Sequence, residues 1–489
     1  MNITDTLLQH ALKHWPEQIA VIDGEQALTY RELYQHTEQL KAQLLGLGVG
    51  KGTILGVMGR NSSGFIIAML ASFGCGAVAV PLSHQLKPAE IEHIVENTRI
   101  QAILDDTSGV NPWTGQAMMF KLLQQPLRLT WTQKPAHAQL AQLADAAFIR
   151  YTSGTTGASK GVVLTHASIL ARVEQARRAL RLTCADAVLW VLPMAFHFLV
   201  SILVYLRSGA RIIISKDLYA KTIIEAAQRH QASVLYASPM HFRLLAADTS
   251  GQLLPSLTTA ISTSSAIPLE IAQAFTTRFG VAVRQAYGII EAGLPMLDNA
   301  YDASEPISVG HPVDGFEVEI LSDANTPVTN GEIGHLALRG PGMFDAYLSP
   351  WQTANQVMSN SWFMTGDLAY RRPDGRIVIS GREKSVINVS GNKAFPEEIE
   401  AVLNAHAQVA ASRVFGKPHP LMGEVVCAEV VLRQAPADIE DIIRFCRKRL
   451  SAYKVPQQLA VVTEITYTVS GKVKRNDAKT KPGSAQALG

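Results

Sequence analysis

A short segment of the sequence combines the residue types that bind phosphate. Tyr151–Val163 reads YTSGTTGASKGVV, follows the apolar run AAFIRY and precedes a helical pattern that starts at Ala167. Glycines let backbone amides approach phosphate oxygens, hydroxyl groups add donors, and Lys160 adds a positive charge. The segment therefore predicts a phosphate-binding loop. Besides the lysine, it would use Thr152, Ser153, Gly154, Thr155, Thr156 and Gly157.

The residues on either side of Lys160 argue against one widespread type of phosphate loop. A Walker loop has Gly immediately before the Lys and Ser or Thr after it, whereas here Ser159 precedes Lys160 and Gly161 follows it. A P-loop kinase or GTPase is therefore disfavoured. On composition alone, a segment rich in Ser, Thr and Gly is also compatible with a flexible linker.

Four later segments carry further groups that could act on a nucleotide. They are AYGIIE with Tyr287 and Glu291, WFMTGD with Asp367, GREK with Arg382, and TVSGKV with Lys472. A carboxylate can hold a hard cation against phosphates, and an ionised Asp, which only accepts hydrogen bonds, suits a diol. Taken singly, each group has an ordinary explanation as a packed aromatic, a solvated charge or part of a turn.

The elements that would position these groups are those of an α/β protein. Apolar runs of strand length alternate with helical patterns over most of the first 380 residues, for example a strand at 210–215, a helix at 220–230 and a strand at 232–237. From Gly331 the chain becomes β-rich and punctuated by glycine. After residue 384 an α+β pattern follows, with helices starting at Pro396 and Asp438. We expect a large N-terminal domain of αβ sheets with a β-rich subdomain, followed by a small α+β domain.

Composition excludes several other classes of protein. With 489 residues and 53.0 kDa, the chain exceeds the size at which one hydrophobic core keeps growing, so two or more domains are expected. Lys and Arg number 44 against 41 Asp and Glu, a balance that argues against a nucleic-acid partner. The four cysteines are far apart and form no CxxC pattern, which disfavours a disulfide framework or a zinc site.

The N-terminal residues and two uncharged runs bear on location. The segment MNITDTLLQHALKHW lacks the basic and apolar regions of a secretion signal, which predicts a cytoplasmic protein. The runs 64–82 and 188–206 have the length of a bilayer span, but Gly and Pro interrupt both of them. The first is expected to be a buried helix followed by a short strand, and no stable membrane insertion is expected.

Taken in their order, these segments resemble those of the adenylate-forming enzymes. This superfamily includes acyl-CoA synthetases, aryl-CoA ligases, peptide-synthetase adenylation domains and beetle luciferase, and the resemblance covers residues 1–476. The loop is similar to the pattern YTSGTTGxPKGV, with Ser159 at the usual Pro, and YGIIE is similar to YGxTE, with Ile290 at the usual Thr. The first departure would loosen the loop, and the second removes a hydroxyl contact expected at the α-phosphate.

The resemblance implies a role for each group at the nucleotide. Tyr287, with Gly288 beside it, would stack on adenine, and Glu291 would hold Mg²⁺ against the phosphates of ATP. Asp367 would accept hydrogen bonds from the ribose hydroxyls, which Arg382 would also contact. The implied reaction joins a carboxylate to ATP, releases pyrophosphate and forms acyl-AMP. Little proton transfer is required, so catalysis should be mainly positioning and stabilisation of charge.

The C-terminal segments are implied to serve both half-reactions. Lys160 and Lys472 would offset the negative charge during adenylation, and a rotation at the hinge Lys384 would then withdraw Lys472. Ser390 and Gly391 would line a tunnel for the phosphopantetheine thiol of CoA or of an acyl carrier protein. The resulting boundaries are an N-terminal domain at 1–381, a hinge at 382–384, a mobile lid domain at 385–476 and a disordered tail at 477–489.

The acid is the least specified partner. Amino-acid-activating relatives place an Asp in the segment that corresponds to 193–197, PMAFH, where this chain has none. An apolar pocket suited to a fatty or aromatic acid is expected from Phe196, His197, Tyr236, Ala292 and Gly293. By the residues alone, His197 is also compatible with a core histidine bonded to backbone.

Three other functions remain open from the sequence. The departures at Ser159 and Ile290 allow a catalytically impaired relative that only binds acyl-adenylate, although Lys160, Glu291 and Lys472 are all present. A stand-alone adenylation domain for an unusual acid is a second alternative. A luciferase-like oxidation is a third, but the chain ends AQALG rather than in an SKL-type signal.

Overall fold

The structure is a computed structural model of the chain. It describes residues 2–113, 117–123, 125–143, 145–152, 160–299, 308–390, 392–434, 438–466 and 473, with the backbone alone at 152. Among the predicted site residues, those that lie outside the described part are Ser153, Gly154, Thr155, Thr156, Gly157, Gly391 and Lys472.

Helices occur throughout the described residues. They are α1 (Ile3–His14), α2 (Tyr30–Gly46), α3 (Ser63–Gly74), α4 (Pro88–Thr98), α5 (His166–Leu180), α6 (Met194–His197), α7 (Leu203–Ser208), α8 (Ala220–Arg229), α9 (Pro239–Ala247), α10 (Leu269–Phe279), α11 (Ala354–Val357), α12 (Pro396–Asn404) and α13 (Ile439–Arg447). A capping box starts α2, because the Thr29 side chain accepts from the Glu32 amide while the Glu32 carboxylate accepts from the Thr29 amide.

The strands fall into four sheets. Those up to residue 165 are β1 (Ile19–Asp23), β2 (Gln26–Thr29), β3 (Ile54–Gly59), β4 (Val78–Ser83), β5 (Ala102–Asp105), β6 (Ala117–Leu122), β7 (Gln125–Trp131), β8 (Ala146–Thr152) and β9 (Lys160–Thr165). Those from 187 to 353 are β10 (Ala187–Trp190), β11 (Arg211–Ile214), β12 (Val234–Ala237), β13 (Thr259–Ser262), β14 (Val283–Ile289), β15 (Gly293–Leu297), β16 (His311–Pro312), β17 (Glu317–Leu321), β18 (Gly334–Arg339), β19 (Ala346–Leu348) and β20 (Trp351–Thr353). The remaining strands are β21 (Phe363–Arg371), β22 (Ile377–Arg382), β23 (Ile387–Val389), β24 (Asn392–Ala394), β25 (Val409–His419), β26 (Gly423–Leu432) and β27 (Gln458–Val461).

One large sheet carries the base of the predicted phosphate loop. Its order is β20-β19-β9-β8-β4-β3-β5-β7-β6. Strands β8 and β9 are antiparallel neighbours, and Thr152 lies opposite Lys160 in their register. The segment 153–159 therefore connects two paired strands, so both ends of the predicted loop are fixed by the sheet.

A second large sheet has the order β16-β15-β14-β13-β12-β10-β11-β1-β2. The strands from β11 through β14 in this order are parallel to one another. Parallel strands end at the same edge of a sheet, and ligands bind at that edge in α/β folds. The ends of β10, β12 and β14 and the segments that follow them contain the predicted acyl-pocket residues and several of the nucleotide residues, so the topology brings these residues to one edge.

The main hydrophobic core includes α3 and residues from both large sheets. Of α3, all residues from Phe65 to Phe73 are buried. The uncharged run 64–82 thus forms a buried helix followed by β4, as expected. Within the described residues, no helix has both the length and the apolar composition needed to cross a membrane. The fold is α/β, as the sequence predicts.

Two smaller sheets follow. The first has the order β17-β18-β21-β22 and is antiparallel throughout. It accounts for the β-rich stretch after Gly331. The second has the order β24-β23-β26-β25, with β27 parallel to β26, and it packs with α12 and α13 around its own hydrophobic core. This is the α+β pattern expected after residue 384.

Candidate active site

Tyr287, Asp367 and Arg382 form a hydrogen-bonded group that joins two sheets. Asp367 lies opposite Arg382 in the register of β21 and β22, and Arg382 Nε donates to Asp367 Oδ1 at 2.8 Å. The phenol of Tyr287, near the end of β14, donates to Asp367 Oδ2 at 2.5 Å. Burial, and then the adjoining carboxylate, raise the pKa of Tyr287 well above its usual value. The phenol therefore keeps its proton and donates.

This group has the chemistry that a ribose diol requires. The Asp367 side chain is only 5% exposed, while that of Arg382 is 38% exposed and open to solvent. An ionised carboxylate offers about four acceptor positions, and two of them are used here, so positions remain for hydroxyl groups. Gly288 follows Tyr287, and a Cβ at this position would lie 2.7 Å from the carbonyl oxygen of Gly293. Glycine thus permits the tight β14–β15 hairpin.

Glu291 lies at the turn of the same hairpin and contacts a second strand system. Its Oε1 accepts from the hydroxyl of Tyr347 at 3.0 Å, and the Lys160 ammonium lies 4.3 Å from the centre of the Tyr347 ring. Tyr347 is opposite Val162 in the register of β19 and β9, which places it beside the strand that Lys160 begins. The structure therefore brings Glu291 and Lys160 to the two sides of one tyrosine.

Arg172 fixes the backbone of this turn. Its guanidinium donates to the carbonyls of Ile290 at 2.9 Å and of Gly342 at 3.0 and 2.5 Å, and the side chain is buried. The Phe344 amide also donates to the Glu291 carbonyl, at 2.7 Å. Neither Arg172 nor Tyr347 is predicted from the sequence as a site residue. The sequence contains one indication of the role of Arg172. It is a charged residue on the apolar face of α5, next to Val173 and three residues after Ile169.

The Glu291 carboxylate fits a magnesium site that is completed by substrate. Among the residues that the structure describes, no three His, Cys, Asp or Glu side chains gather into a metal-binding group. Mg²⁺ in nucleotide enzymes is bound through one or two carboxylates together with substrate phosphates. Glu291 is partly exposed and lies close to Lys160 through Tyr347, so it offers one such oxygen ligand.

The predicted acyl-pocket residues lie around Trp190 and the segment that follows it. The Trp190 ring stacks on Tyr236 with centroids 6.4 Å apart, and its edge meets His197 at the same centroid distance. Phe196 contacts Arg150, whose guanidinium lies 5.4 Å from the Phe196 ring centre. Tyr236 is buried, whereas Phe196 and His197 are partly exposed. Trp190, which is buried at the end of β10, is not predicted from the sequence as a neighbour of the pocket residues.

Ala292 and Gly293 border the same region from the β14–β15 hairpin. Ala292 is fully buried, and Gly293 has a φ of +89°. A Cβ at Gly293 would lie 3.2 Å from Cγ1 of Val200, so this glycine lets the hairpin approach the segment after α6. The five predicted pocket positions thus lie at the end of β12, in α6, and in the β14–β15 hairpin.

The residues predicted to form the hinge and the thiol tunnel lie in turns next to strands of the two smaller sheets. Lys384 is exposed in the short 3₁₀ turn Glu383–Ser385, directly after β22. Ser390 is exposed, has a φ of +49°, and occupies the turn between β23 and β24. Their assigned roles, like the domain boundaries, remain predictions. The rest of the phosphate loop, Gly391 and Lys472 lie outside the described residues.

Comparisons with known proteins identify the family of this chain. The AMP-binding enzyme family matches residues 8–348, and the AMP-binding enzyme C-terminal domain matches residues 398–472. A sulfoacetate–CoA ligase of Cupriavidus necator is 29% identical, over 94% of this chain and 94% of its own. A long-chain-fatty-acid–CoA ligase of Yersinia pestis is 26% identical, over 98% of this chain and 95% of its own.

The fold has close counterparts among solved structures. The o-succinylbenzoate coenzyme A synthetase of Bacillus subtilis, in complex with AMP, superposes with a TM-score of 0.83 at 23% identity, and all of both chains is covered. The two family matches together span most of the sequence. The chain therefore belongs to the AMP-binding enzymes, the adenylate-forming superfamily that its sequence resembles.

Proposed function

We propose that this protein activates a carboxylic acid with ATP to form acyl-AMP and pyrophosphate, and then transfers the acyl group to a phosphopantetheine thiol. The observation that carries the proposal is that the β14–β15 hairpin is hydrogen-bonded to strands of two other sheets. At one point of the hairpin Tyr287 is bonded to Asp367, and four residues later Glu291 is bonded to Tyr347 beside Lys160. One hairpin thus joins the group proposed to bind the ribose diol to the group proposed to bind the phosphates.

The chemistry follows from this placement. A carboxylate is a poor electrophile because its leaving group would be an oxide, whereas a mixed anhydride with AMP has a good leaving group. Asp367 and Arg382 hold the nucleoside end, while Lys160 and Glu291 face the phosphates. Mg²⁺ bound at Glu291 would offset the charge of the phosphates. The protein's contribution is to orient the acid oxygen toward the α-phosphorus and to stabilise negative charge in the transition state.

The acid is proposed to have an apolar body, fatty or aromatic. The aromatic rings of Trp190, Tyr236 and Phe196 and the buried Ala292 support this proposal. The similar proteins are named for acids as different as sulfoacetate and long-chain fatty acids. The proposal of an apolar acid therefore rests on the residues of the predicted pocket and not on the relatives. The thiol acceptor is CoA or an acyl carrier protein, and the relatives' names favour CoA.

Exchange of labelled pyrophosphate into ATP tests the first half-reaction. We expect exchange to depend on Mg²⁺ and on the acid, with medium-chain and aromatic acids supporting it better than amino acids. A panel without added acid is the control. If no acid raises exchange above that control in folded protein, the enzyme proposal fails and the binding-only alternative is favoured. Adding CoA or a phosphopantetheinyl carrier protein to the active combination then identifies the acceptor.

A substitution at Lys384 tests the proposed hinge. Lys472 and a thiol cannot occupy the same place beside the carbonyl, so the small domain must move between the half-reactions. Proline fixes φ, and hinge residues must absorb changes in φ and ψ. We expect Lys384→Pro to retain much of the pyrophosphate exchange and to lose thioester formation by roughly tenfold or more.

The matched control for the hinge is Lys384→Ala, which removes the same exposed side chain and leaves φ free. It should keep both half-reactions near the parent rates. Equal loss of both half-reactions in folded Lys384→Pro would argue against this hinge, and full thioester activity would refute it.

A further inference from the structure

Arg150 is a charged residue within an otherwise apolar strand. It lies on β8, two residues before Thr152, and the preceding residues Ala147, Phe148 and Ile149 are buried. Arg150 is thus part of the strand that leads into the predicted phosphate loop.

The Arg150 guanidinium makes fewer hydrogen bonds in the described residues than its donors allow. Nη1 donates to the carbonyl oxygen of Phe196, and the guanidinium faces the Phe196 ring at 5.4 Å. Its Nε is buried and has no hydrogen-bond partner in the part of the chain that the structure describes. No carboxylate of those residues forms an ion pair with it, and Glu291 acts on it only through a longer-range electrostatic interaction.

Arg172 shows what a purely structural buried arginine looks like in this protein. Its Nε, Nη1 and Nη2 all donate to backbone carbonyls, those of Ile290 and Gly342. Burial lowers the pKa of both arginines to about 10, so both remain charged near neutral pH. Arg172 is compensated by carbonyl groups, whereas Arg150 has one carbonyl partner and a buried donor to spare.

Arg150 is partly exposed, but its Nε is buried. Taking part of a cation out of water without an anion is costly, because the desolvation is not repaid by pairing. The cost is offset if a bound ligand supplies the anion. The contacts of Arg150 are to Phe196, in the segment that carries the acyl-pocket residues, and not to Lys160, Tyr347 or Asp367. This placement favours the acid over the phosphates of ATP as the source of the anion.

We propose that the Arg150 guanidinium binds an anionic oxygen group of the acid substrate. The inference rests on the proposed acid-activating function and adds a charged anchor to a pocket that is otherwise apolar. The anionic group has two sources, either the carboxylate that reacts or a second acidic group elsewhere on the same acid. An arginine suits both because its planar fork binds carboxylates in two-point geometry.

The test is the variant Arg150→Met, assayed by pyrophosphate exchange with matched acids. Octanoate and octanedioate form one pair, and benzoate and terephthalate form another. We expect the KM of the acid to rise about ten- to hundredfold, the scale for losing a charge-assisted hydrogen bond, and the KM of ATP to stay within about twofold. Equal loss in both members of a pair identifies the reacting carboxylate, and loss confined to the diacid identifies a second acidic group.

Arg211→Met is the matched control. Arg211 also donates to one backbone carbonyl, that of His230 at 3.0 Å, and its Nε is likewise buried without a described partner. It begins β11, away from the strand ends that carry the site. The KM of the acid should not change in this variant, so an effect common to both variants would be attributed to packing and would overturn the proposal.

Other outcomes are equally decisive. An unchanged KM for the acid in folded Arg150→Met, or a rise in the KM of ATP alone, overturns the proposal. If Arg150→Met does not fold, Arg150→Lys keeps the charge but loses the fork, and an unchanged KM for the acid there would also overturn it. Calorimetric titration of the acids without ATP compares binding to parent and variant directly, so a parent that binds acid but shows no exchange would refute the ligase function and not the role of Arg150.

Discussion

Replacing Glu291 with Gln is expected to slow pyrophosphate exchange by about two to three orders of magnitude, the scale for removing one preorganised stabiliser of developing charge. The substitution deletes a negative charge and changes little else. An amide oxygen still accepts a hydrogen bond from Tyr347, which bonds Glu291 at 3.0 Å. The fold should therefore survive, as checked by the thermal unfolding midpoint.

The magnesium dependence separates this effect from a loss of positioning. If Glu291 binds the metal that bridges the phosphates, Glu291→Gln should raise the Mg²⁺ concentration needed for half-maximal exchange. Tyr347→Phe is the matched control, because it removes only the hydroxyl that orients the same carboxylate. Its loss should be smaller, about three- to tenfold, the scale for a single hydrogen bond. Equal rates and equal Mg²⁺ dependence in Glu291→Gln and parent would exclude Glu291 as the metal ligand.

The sequence predicts those parts of the fold that local patterns determine. The capping box at Thr29 and Glu32 and the division of the run 64–82 into α3 and β4 both occur in the structure. Each depends on residues a few positions apart, where side-chain periodicity and helix start signals act directly. The antiparallel β6–β7 hairpin was not predicted, since the expected alternation of strands and helices leaves no place for it.

The missed site residues have a different explanation. Tyr347 comes from an edge region of one sheet and reaches Glu291 on a hairpin of the other, 56 residues away in sequence. Arg172 contacts Gly342, 170 residues away. Contacts of this kind depend on the packing of one sheet against the other, so the spacing of residues in the sequence does not predict them. Arg150 did leave a local signal, a charge inside an apolar strand. The sequence could not show that its Nε is buried without a hydrogen-bond partner among the described residues.

Lys472→Ala is expected to reduce adenylation by at least about a hundredfold, measured as pyrophosphate exchange. Attack of a carboxylate on the α-phosphate brings two anions together. In the proposed mechanism, Lys160 and a Mg²⁺ ion held by Glu291 would offset part of this charge. The resemblance assigns Lys472 to a position between the acid and the α-phosphate, where Ile290 supplies no hydroxyl in the position of the usual Thr. This departure increases the share of charge that Lys472 must offset.

The matched control is Lys474→Ala, which removes the same charge two positions later in the sequence. A general effect of positive charge on ATP binding would slow both variants alike, because a screened interaction varies little between two charges so near in the sequence. A specific contact would slow only Lys472→Ala. The thermal unfolding midpoint should change little in both variants, since lysines are almost never fully buried and substitutions away from packed groups usually alter stability by about 0.5 kcal/mol or less. Comparable exchange rates in Lys472→Ala and the parent would remove this lysine from the mechanism and leave charge stabilisation to Lys160 and the metal.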